Sequence, residues 1–323
     1  MEEIYGNKIS HRWSEYVKER NKVSRVERDE KRAYEKRLAK EVGLNRRGFF
    51  KYVNSKLTVR PEISALIDVN GEIKHDERDL ANICNSYFHS AFNRPIAGEE
   101  LPEMDTICET NIEVIEITPS IVAKKLEKLN KFKSSGPDSI HPHFLKETAY
   151  SVSVPLSMIF QESLRKGETP LDWRSANVTP IFKKGDRTDP ANYRPVSLTS
   201  QVCKVLESIV RDQMLDHLDC HNLLSDQQHG FREGRSCLSN LLTTLEDWTK
   251  IIDERDNCID VAYLDFRKAF DLVSHKHLLL KLQKYGINGQ IGNWIKAFLE
   301  NRKQREVIRG QESDELDVLS GVP

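Results

Sequence analysis

The stretch that decides the fold is Cys-Ile-Asp-Val-Ala-Tyr-Leu-Asp-Phe-Arg-Lys-Ala-Phe-Asp, residues 258–271. Its apolar run Cys258–Asp265 predicts a β-strand buried inside a sheet. Such a strand would present Asp265 at its C-terminal edge, where a buried carboxylate is costly unless it is paired or binds a metal. From the residues alone two interpretations stay open. Asp265 caps the next turn, which is the commoner role, or it binds a metal ion.

Helical and strand-like patterns surround this stretch on both sides. Within 236–254, Leu238, Leu241 and Leu245 share one apolar face of a predicted helix. Because helices alternate with only a few strands, the sequence predicts an α+β or α/β domain, of which we favour α+β. The predicted elements are helices over 77–92, 143–148, 155–166, 201–218, 236–254, 274–285 and 290–302, a helix starting at Thr118-Pro119, a strand over 176–182, and a hairpin over 304–308 and 316–319.

Charge is segregated along the chain, although 49 Lys and Arg nearly balance 50 Asp and Glu. Residues 1–60 hold 17 Lys or Arg against 9 Asp or Glu, whereas residues 61–130 hold 6 against 14. The basic block predicts a long helix over 11–42 and a shorter one over 46–56. A basic helix suits the phosphate backbone of a nucleic acid, and a solvated linker helix explains it at least as well.

Segment composition suggests the domain boundaries and the compartment. The stretch 94–118 is rich in Pro, Gly and acidic residues and predicts a linker, so the predicted domains are 1–115 and 116–323. No run approaches the roughly 18 apolar residues of a membrane span. Glu2 and Glu3 stand where a secretory signal would be basic and then apolar. The sequence therefore predicts an intracellular protein that is not secreted and has no membrane partner.

The six cysteines form no C-x-x-C pair, which predicts free thiols in a reducing compartment. One group has a spacing that can hold zinc, since His217, Cys220 and His221 are at i, i+3 and i+4 on a predicted helix. There is no second ligand pair nearby in the sequence, so an ordinary helix end is the favoured interpretation.

Seven short motifs occur in a characteristic order. They are KSSGPDSIHPHFLK (133–146), NVTPIFKKGD (177–186), NYRPVSLTS (192–200), KVLESIV (204–210), LLSDQQHGFREGRS (223–236), YLDFRKAFD (263–271) and SGVP (320–323). With these motifs, residues 133–323 resemble the reverse transcriptases of non-LTR retrotransposons, the jockey-like LINE elements. Each motif is weak alone, but seven in order are specific. Residues 1–115 also resemble the segment that precedes the polymerase in such elements.

The resemblance implies a fold and a reaction. The fold would be a partial right-hand polymerase, with fingers near 133–235 and an incomplete palm near 236–323, preceded by a mainly helical segment. In the implied reaction a primer 3′-hydroxyl attacks the α-phosphate of a dNTP and pyrophosphate leaves. The implied partners are an RNA template, a DNA primer and dNTP. The implied cofactor is a pair of Mg²⁺ ions about 3.5–4 Å apart.

The resemblance also implies roles for individual residues. Asp265 and the backbone carbonyl of Phe266 would be metal ligands, and Asp265 would be catalytic. The nucleotide-binding residues would be Phe270, under the incoming sugar, and Arg194, Lys183 and Lys184, which suit the triphosphate. From the residues alone, Phe270 also fits a core aromatic, and the two lysines also fit a solvated turn. Asp271 is expected to cap the helix over 274–285 rather than to bind metal.

The end of the sequence leads to a further expectation. In the family, SGVP opens a motif that continues with Gln-Gly, and a Tyr-x-Asp-Asp motif follows; neither continuation occurs here. We therefore expect a C-terminally truncated chain that does not polymerise by itself. Two hypotheses stay open: a fragment of an RNA-directed DNA polymerase from a mobile element, or a non-catalytic remnant that binds nucleic acid non-specifically. The resemblance leaves a nuclear location open, although no clear basic import signal is present.

Overall fold

The computed structural model describes residues 2–43, 46, 49–50, 52–53, 63–94, 98, 100–112, 114–254 and 257–322. The chain divides into two compact units, Met1–Glu62 and Ile63–Pro323. Within the described residues, no helix combines the length and the apolar character needed to cross a membrane.

The first unit contains the predicted basic helix. This helix, α1 (Glu2–Lys40), begins earlier than predicted from the pattern. Its described apolar side chains, such as Trp13 and Val23, are mostly exposed. Tyr52 donates a hydrogen bond to Glu35, which raises the pKa of Tyr52 to about 12. The described residues of the predicted helix over 46–56 are helical, and the others lie outside the described part of the chain.

The second unit mixes helices with short strands. Its helices are α2 (Glu77–His89), α3 (Pro119–Glu127), α4 (Pro142–Glu147), α5 (Ala149–Lys166), α6 (Leu171–Arg174), α7 (Gln201–Cys220), α8 (Cys237–Asp253), α9 (His275–Lys284) and α10 (Gly289–Leu299), with a 3₁₀ turn at Pro190–Asn192. Its strands are β1 (Leu66–Ile67), β2 (Ile73–Lys74), β3 (Ser175–Phe182), β4 (Tyr193–Leu198), β5 (Lys303–Ile308), β6 (Gln311–Glu312) and β7 (Leu316–Asp317). The predicted α+β class is confirmed in this coarse sense.

The main sheet is built around β3. Strand β3 pairs antiparallel with β4 and parallel with β5, and β5 pairs antiparallel with both β6 and β7. Strand β4, which contains Pro195, was not among the predicted elements. It is the terminal strand of the described sheet, where proline is tolerated because one edge needs no ladder partner.

Local start and stop signals agree with the sequence. The hydroxyl of Thr118 accepts a hydrogen bond from the backbone N of Ile121 at the start of α3, and Gly167 ends α5 with φ +64°. Ser274, not Asp271, caps α9, because the Ser274 hydroxyl accepts from the backbone N of His277. The expected capping role of Asp271 is therefore wrong.

The predicted linker is an integral part of the core. Ile112, Ile115 and Ile117 are buried in the cluster formed by α3, α5, α7 and α10. The backbone N of Ile117 donates to the Gln161 side chain at 2.8 Å, and that of Ile112 donates to the Gly286 carbonyl at 2.9 Å. Apolar residues spaced along this irregular segment bury themselves, so its polar composition misled the prediction.

Helix α2 is fastened to β5 through a buried polar network. The Asn85 amide donates to the Ser313 hydroxyl at 2.9 Å and accepts from Gln304 at 3.1 Å. All three side chains are buried. Because an unpaired buried amide is costly, this network fixes one orientation of α2 on the sheet. Residues from 63 onward therefore lie in the same unit as the later elements.

The buried strand expected over Cys258–Asp265 is absent. The described residues of this stretch have no regular structure, and Leu264 is 94% exposed. No described strand pairs with it, and a strand cannot form without a neighbour that satisfies its backbone groups. The preceding helix α8 forms nonetheless, with Leu238 and Leu241 on its exposed apolar face.

Candidate functional site

The β3–β4 register gathers two of the predicted phosphate-binding residues. Arg194 lies opposite Ile181, and the backbone N of Lys183 donates to the Asn192 carbonyl at 2.8 Å. Since side chains alternate along a strand, Ile181, Lys183 and Arg194 share one face. Both cations are exposed. The structure therefore presents Lys183 and Arg194 on the same exposed face near the end of the hairpin, two positions apart in the register.

The turn that follows Lys183 is rigidly held. Gly185 has φ +90°, and a Cβ there would lie 2.8 Å from the Asn192 amide group. Asn192 in turn donates to the Asp186 carbonyl at 2.9 Å. Hydrogen bonds from Thr188 lower the pKa of the Asp186 carboxyl, which keeps it ionised. Lys184 lies on the exposed part of this turn.

The opposite face of the hairpin anchors it to the unit. The rings of Phe182 and Tyr193 are in edge contact at 5.5 Å, and Tyr193 donates to the Arg187 carbonyl at 2.6 Å. The Arg187 guanidinium lies 4.1 Å from the centre of the Phe182 ring. Arg187 is thus engaged with the anchoring face, while Lys183 and Arg194 face solvent. This arrangement suits the binding of an anion such as a triphosphate.

Asp265, Phe266 and Phe270 lie on the irregular segment and the turn that follows it. Phe266 is 86% exposed and Phe270 59% exposed, with the Phe270 ring 6.2 Å from that of Phe231. Phe270 is therefore not a core aromatic in this structure. Asp271 is half-buried, and this burial raises the pKa of its carboxyl against the opposing effect of Lys268.

The surroundings of Asp265 do not amount to a two-metal site. Among the described residues, the single group of three or more potential ligands with mutually close donor atoms does not include Asp265. A pair of divalent ions needs several oxygen ligands in common reach. Among the described residues, Asp265 by itself therefore does not make up a site for two ions, and such a site would need further oxygen ligands.

The SGVP motif docks against the turn after Asp265, a contact that no sequence signal foretold. The Ser320 hydroxyl donates to the Asp271 carbonyl at 2.7 Å, and the backbone N of Val322 donates to the Phe270 carbonyl at 3.1 Å. Gly321 has φ +87°, and a Cβ there would lie 2.8 Å from the Phe270 carbonyl oxygen. His275 donates back to the Gly321 carbonyl at 2.7 Å. Two motifs distant in sequence thus form one surface.

A second pair of motifs meets at the start of α7. Gly136 is buried, and a Cβ there would lie 2.5 Å from the carbonyl carbon and oxygen of Thr199. Gln201 donates to the Ser134 carbonyl at 2.9 Å. Gly136 and the end of β4 are therefore in direct backbone contact, which explains the glycine in the first motif.

Part of the chain is similar to a known protein family. Residues 181–323 match the family described as reverse transcriptase (RNA-dependent DNA polymerase). This match and the similar proteins confirm the predicted resemblance: residues 181–323 are similar to reverse transcriptases, and most of the chain is similar to RNA-directed DNA polymerases of non-LTR retrotransposons.

The similar proteins come from mobile elements. The chain is 25% identical over 266 residues to "Probable RNA-directed DNA polymerase from transposon BS" of Drosophila melanogaster, covering 78% of this chain and 28% of the relative. It is 27% identical over 208 residues to "RNA-directed DNA polymerase from mobile element jockey" of the same species, covering 64% and 22%. It is 30% identical over 141 residues to a retrovirus-related Pol polyprotein from the R2 element of Popillia japonica, covering 44% and 19%. The chain thus spans less than a third of each relative's length.

Proposed function

We propose that this chain is part of an RNA-directed DNA polymerase encoded by a mobile element. The observation that carries the proposal is the Lys183–Arg194 pair on a rigid hairpin, within a domain that matches the reverse transcriptase family. In this proposal the hairpin belongs to the fingers, and the irregular segment with Asp265 belongs to the palm. RNA template, DNA primer, dNTP and Mg²⁺ are the proposed partners, and the protein acts inside the cell where it can reach nuclear DNA.

Replacement of Asp265 by asparagine tests the polymerase proposal. We expect Asp265→Asn to abolish RNA-templated primer extension by the protein translated from the complete reading frame that contains this sequence. The reason is that asparagine keeps the shape but removes the charge that a divalent ion requires. The measurement is extension of a labelled DNA primer on an RNA template with Mg²⁺.

The matched control is Asp260→Asn, a change of the same kind on the same exposed segment. It should extend the primer at the wild-type rate. Full activity of Asp265→Asn would overturn the proposed role of Asp265.

The proposed triphosphate contact gives a second prediction. Arg194→Ala and Lys183→Ala should each weaken dNTP binding about 10-fold or more, because a charge-assisted hydrogen bond contributes about 1.5–3 kcal/mol. Lys184→Ala should have a smaller effect because Lys184 lies further along the turn. The measurement is the apparent KM for dNTP in primer extension, with Lys124→Ala on the exposed side of α3 as the control. Equal effects of Lys124→Ala and Arg194→Ala would contradict a specific clamp.

The alternative, a non-catalytic remnant, is not favoured by the similar proteins, which are named as RNA-directed DNA polymerases. It predicts RNA binding through the basic residues 1–60 and the proposed fingers, 133–235, that weakens steeply as salt rises from about 50 to 200 mM, with no primer extension. RNA-templated extension of the DNA primer by the wild-type protein would exclude the non-catalytic remnant.

A further inference from the structure

Three potential metal ligands from distant parts of the sequence meet at the end of α7. Cys108, His217 and His221 each offer a ligand atom, and these atoms all lie within 4.8 Å of one another. Cys108 and His217 are buried, whereas His221 is more exposed. Cys220, which shares the sequence spacing with the two histidines, is exposed and is not part of the group. The structure therefore brings Cys108 close to the two histidines, whereas the sequence spacing had indicated Cys220 as the third potential ligand.

Hydrogen bonds define which ring nitrogens are free. Nε2 of His217 lies 2.8 Å from the Tyr285 carbonyl oxygen, and Nδ1 of His221 lies 2.9 Å from the His217 carbonyl oxygen. A carbonyl oxygen only accepts, so both nitrogens must carry the proton. In the neutral rings, Nδ1 of His217 and Nε2 of His221 then carry no proton, and each has a lone pair that can bind a metal ion. Donation of the second ring nitrogen to a carbonyl is the usual arrangement of metal-binding histidines.

Backbone hydrogen bonds hold the segment that carries Cys108 against the end of α9 and the turn that follows it. The backbone N of Cys108 donates to the Lys284 carbonyl at 3.1 Å, and that of Ile112 donates to the Gly286 carbonyl at 2.9 Å. Gly286 has φ +80°, and a Cβ there would overlap the Thr110 carbonyl oxygen. The thiol is therefore positioned by the backbone at a point next to His217.

We propose that Cys108, His217 and His221 bind one zinc ion. A thiolate with two imidazoles is a donor set that zinc prefers, and the more open side at His221 leaves room for water as a fourth ligand. Zinc–ligand bonds of about 2.0–2.3 Å place neighbouring ligand atoms about 3.5 Å apart, so binding needs a contraction of roughly 1 Å. The ion would tie the segment around Cys108 to the end of α7, independently of the polymerase chemistry.

The test is metal titration of the purified full chain, with Zn²⁺ in competition with a chromophoric chelator and with Co²⁺ as a spectroscopic probe. We expect one tightly bound ion, a thiolate-to-cobalt charge-transfer band, and a higher Tm when zinc is present. Cys108→Ser should weaken binding at least 100-fold and remove the band. Cys220→Ser, the matched control, should leave both unchanged.

A second variant protects the test against misfolding. His221→Gln changes the more exposed ligand and should also weaken zinc binding while the Tm of the metal-free protein stays that of the wild type. The proposal is overturned if the wild-type chain binds no stoichiometric ion. It is equally overturned if Cys220→Ser removes the cobalt band while Cys108→Ser retains it.

Discussion

Gly136→Ala should lower the free energy of unfolding of the second unit by about 1–3 kcal/mol. The added Cβ would lie 2.5 Å from backbone atoms of Thr199 and 2.7 Å from the backbone N of Ser200, and no rotamer change relieves a clash with backbone. The backbone at Thr199 and Ser200 cannot easily move away, because both residues are buried and the Ser200 hydroxyl caps α7 by accepting a hydrogen bond from the backbone N of Cys203. The measurement is chemical denaturation followed by tryptophan fluorescence.

Gly230→Ala is the matched control, because Gly230 also lies in one of the seven motifs. A Cβ there would meet no described atom within 4 Å, and the residue is exposed. It should change stability by less than about 0.5 kcal/mol. If both variants unfold like the wild type, the contact between the first motif and the end of β4 is not as tight as the structure shows.

What the sequence could predict was mainly the helices. A helix satisfies its backbone groups within itself, so caps such as Thr118 and the left-handed Gly167 identify its ends from local residues alone. Helix α8 shows this clearly, since it forms with a capping box between Ser236 and Ser239 although its apolar face is exposed.

The strands were less predictable because a strand depends on partners far away in sequence. The apolar run Cys258–Asp265 has strand-like composition but pairs with no described strand, whereas β4 contains Pro195 and pairs along its whole length with β3. The amino-acid composition of these two segments therefore did not indicate which of them forms a strand.

The same distinction applies to the sites. Lys183 and Arg194 were predicted from family motifs, and their proximity follows only from the β3–β4 register. Cys108 carried no signal at all, because its histidine neighbours lie more than a hundred residues further along the chain. Its place became visible only when the supposed linker proved to be part of the core. A group of ligands that are far apart in sequence can be recognised only from the tertiary fold, because the local sequence pattern does not show which residues meet.

Glu306→Gln should make the second unit more stable above about pH 8, by an amount on the order of a few kcal/mol. Glu306 lies on β5 opposite Val178, its side chain is fully buried, and neither carboxylate oxygen has a hydrogen-bond partner among the described residues. Burial raises the pKa of this carboxyl from 4.5 to about 8.

The sign of the effect follows from the proton balance. Below about pH 4.5 both the folded and the unfolded chains are protonated at this position, and the stability is at its full value. Between the two pKa values the folded chain keeps a proton that the unfolded chain releases, so stability falls as the pH rises towards 8. Glutamine does not titrate, so Glu306→Gln should remove this decline.

Two further variants separate charge from packing. Glu306→Met, of similar length but apolar, should also remove the decline and be at least as stable as Glu306→Gln at pH 8, because it leaves no buried polar atom unpaired. Glu233→Gln removes an exposed carboxylate and should leave the decline unchanged. The measurement is the free energy of unfolding from urea denaturation at intervals between about pH 5 and 9. A wild-type profile with the same slope as that of Glu306→Gln would mean that the pKa of Glu306 is not raised in the folded chain, and would contradict the prediction.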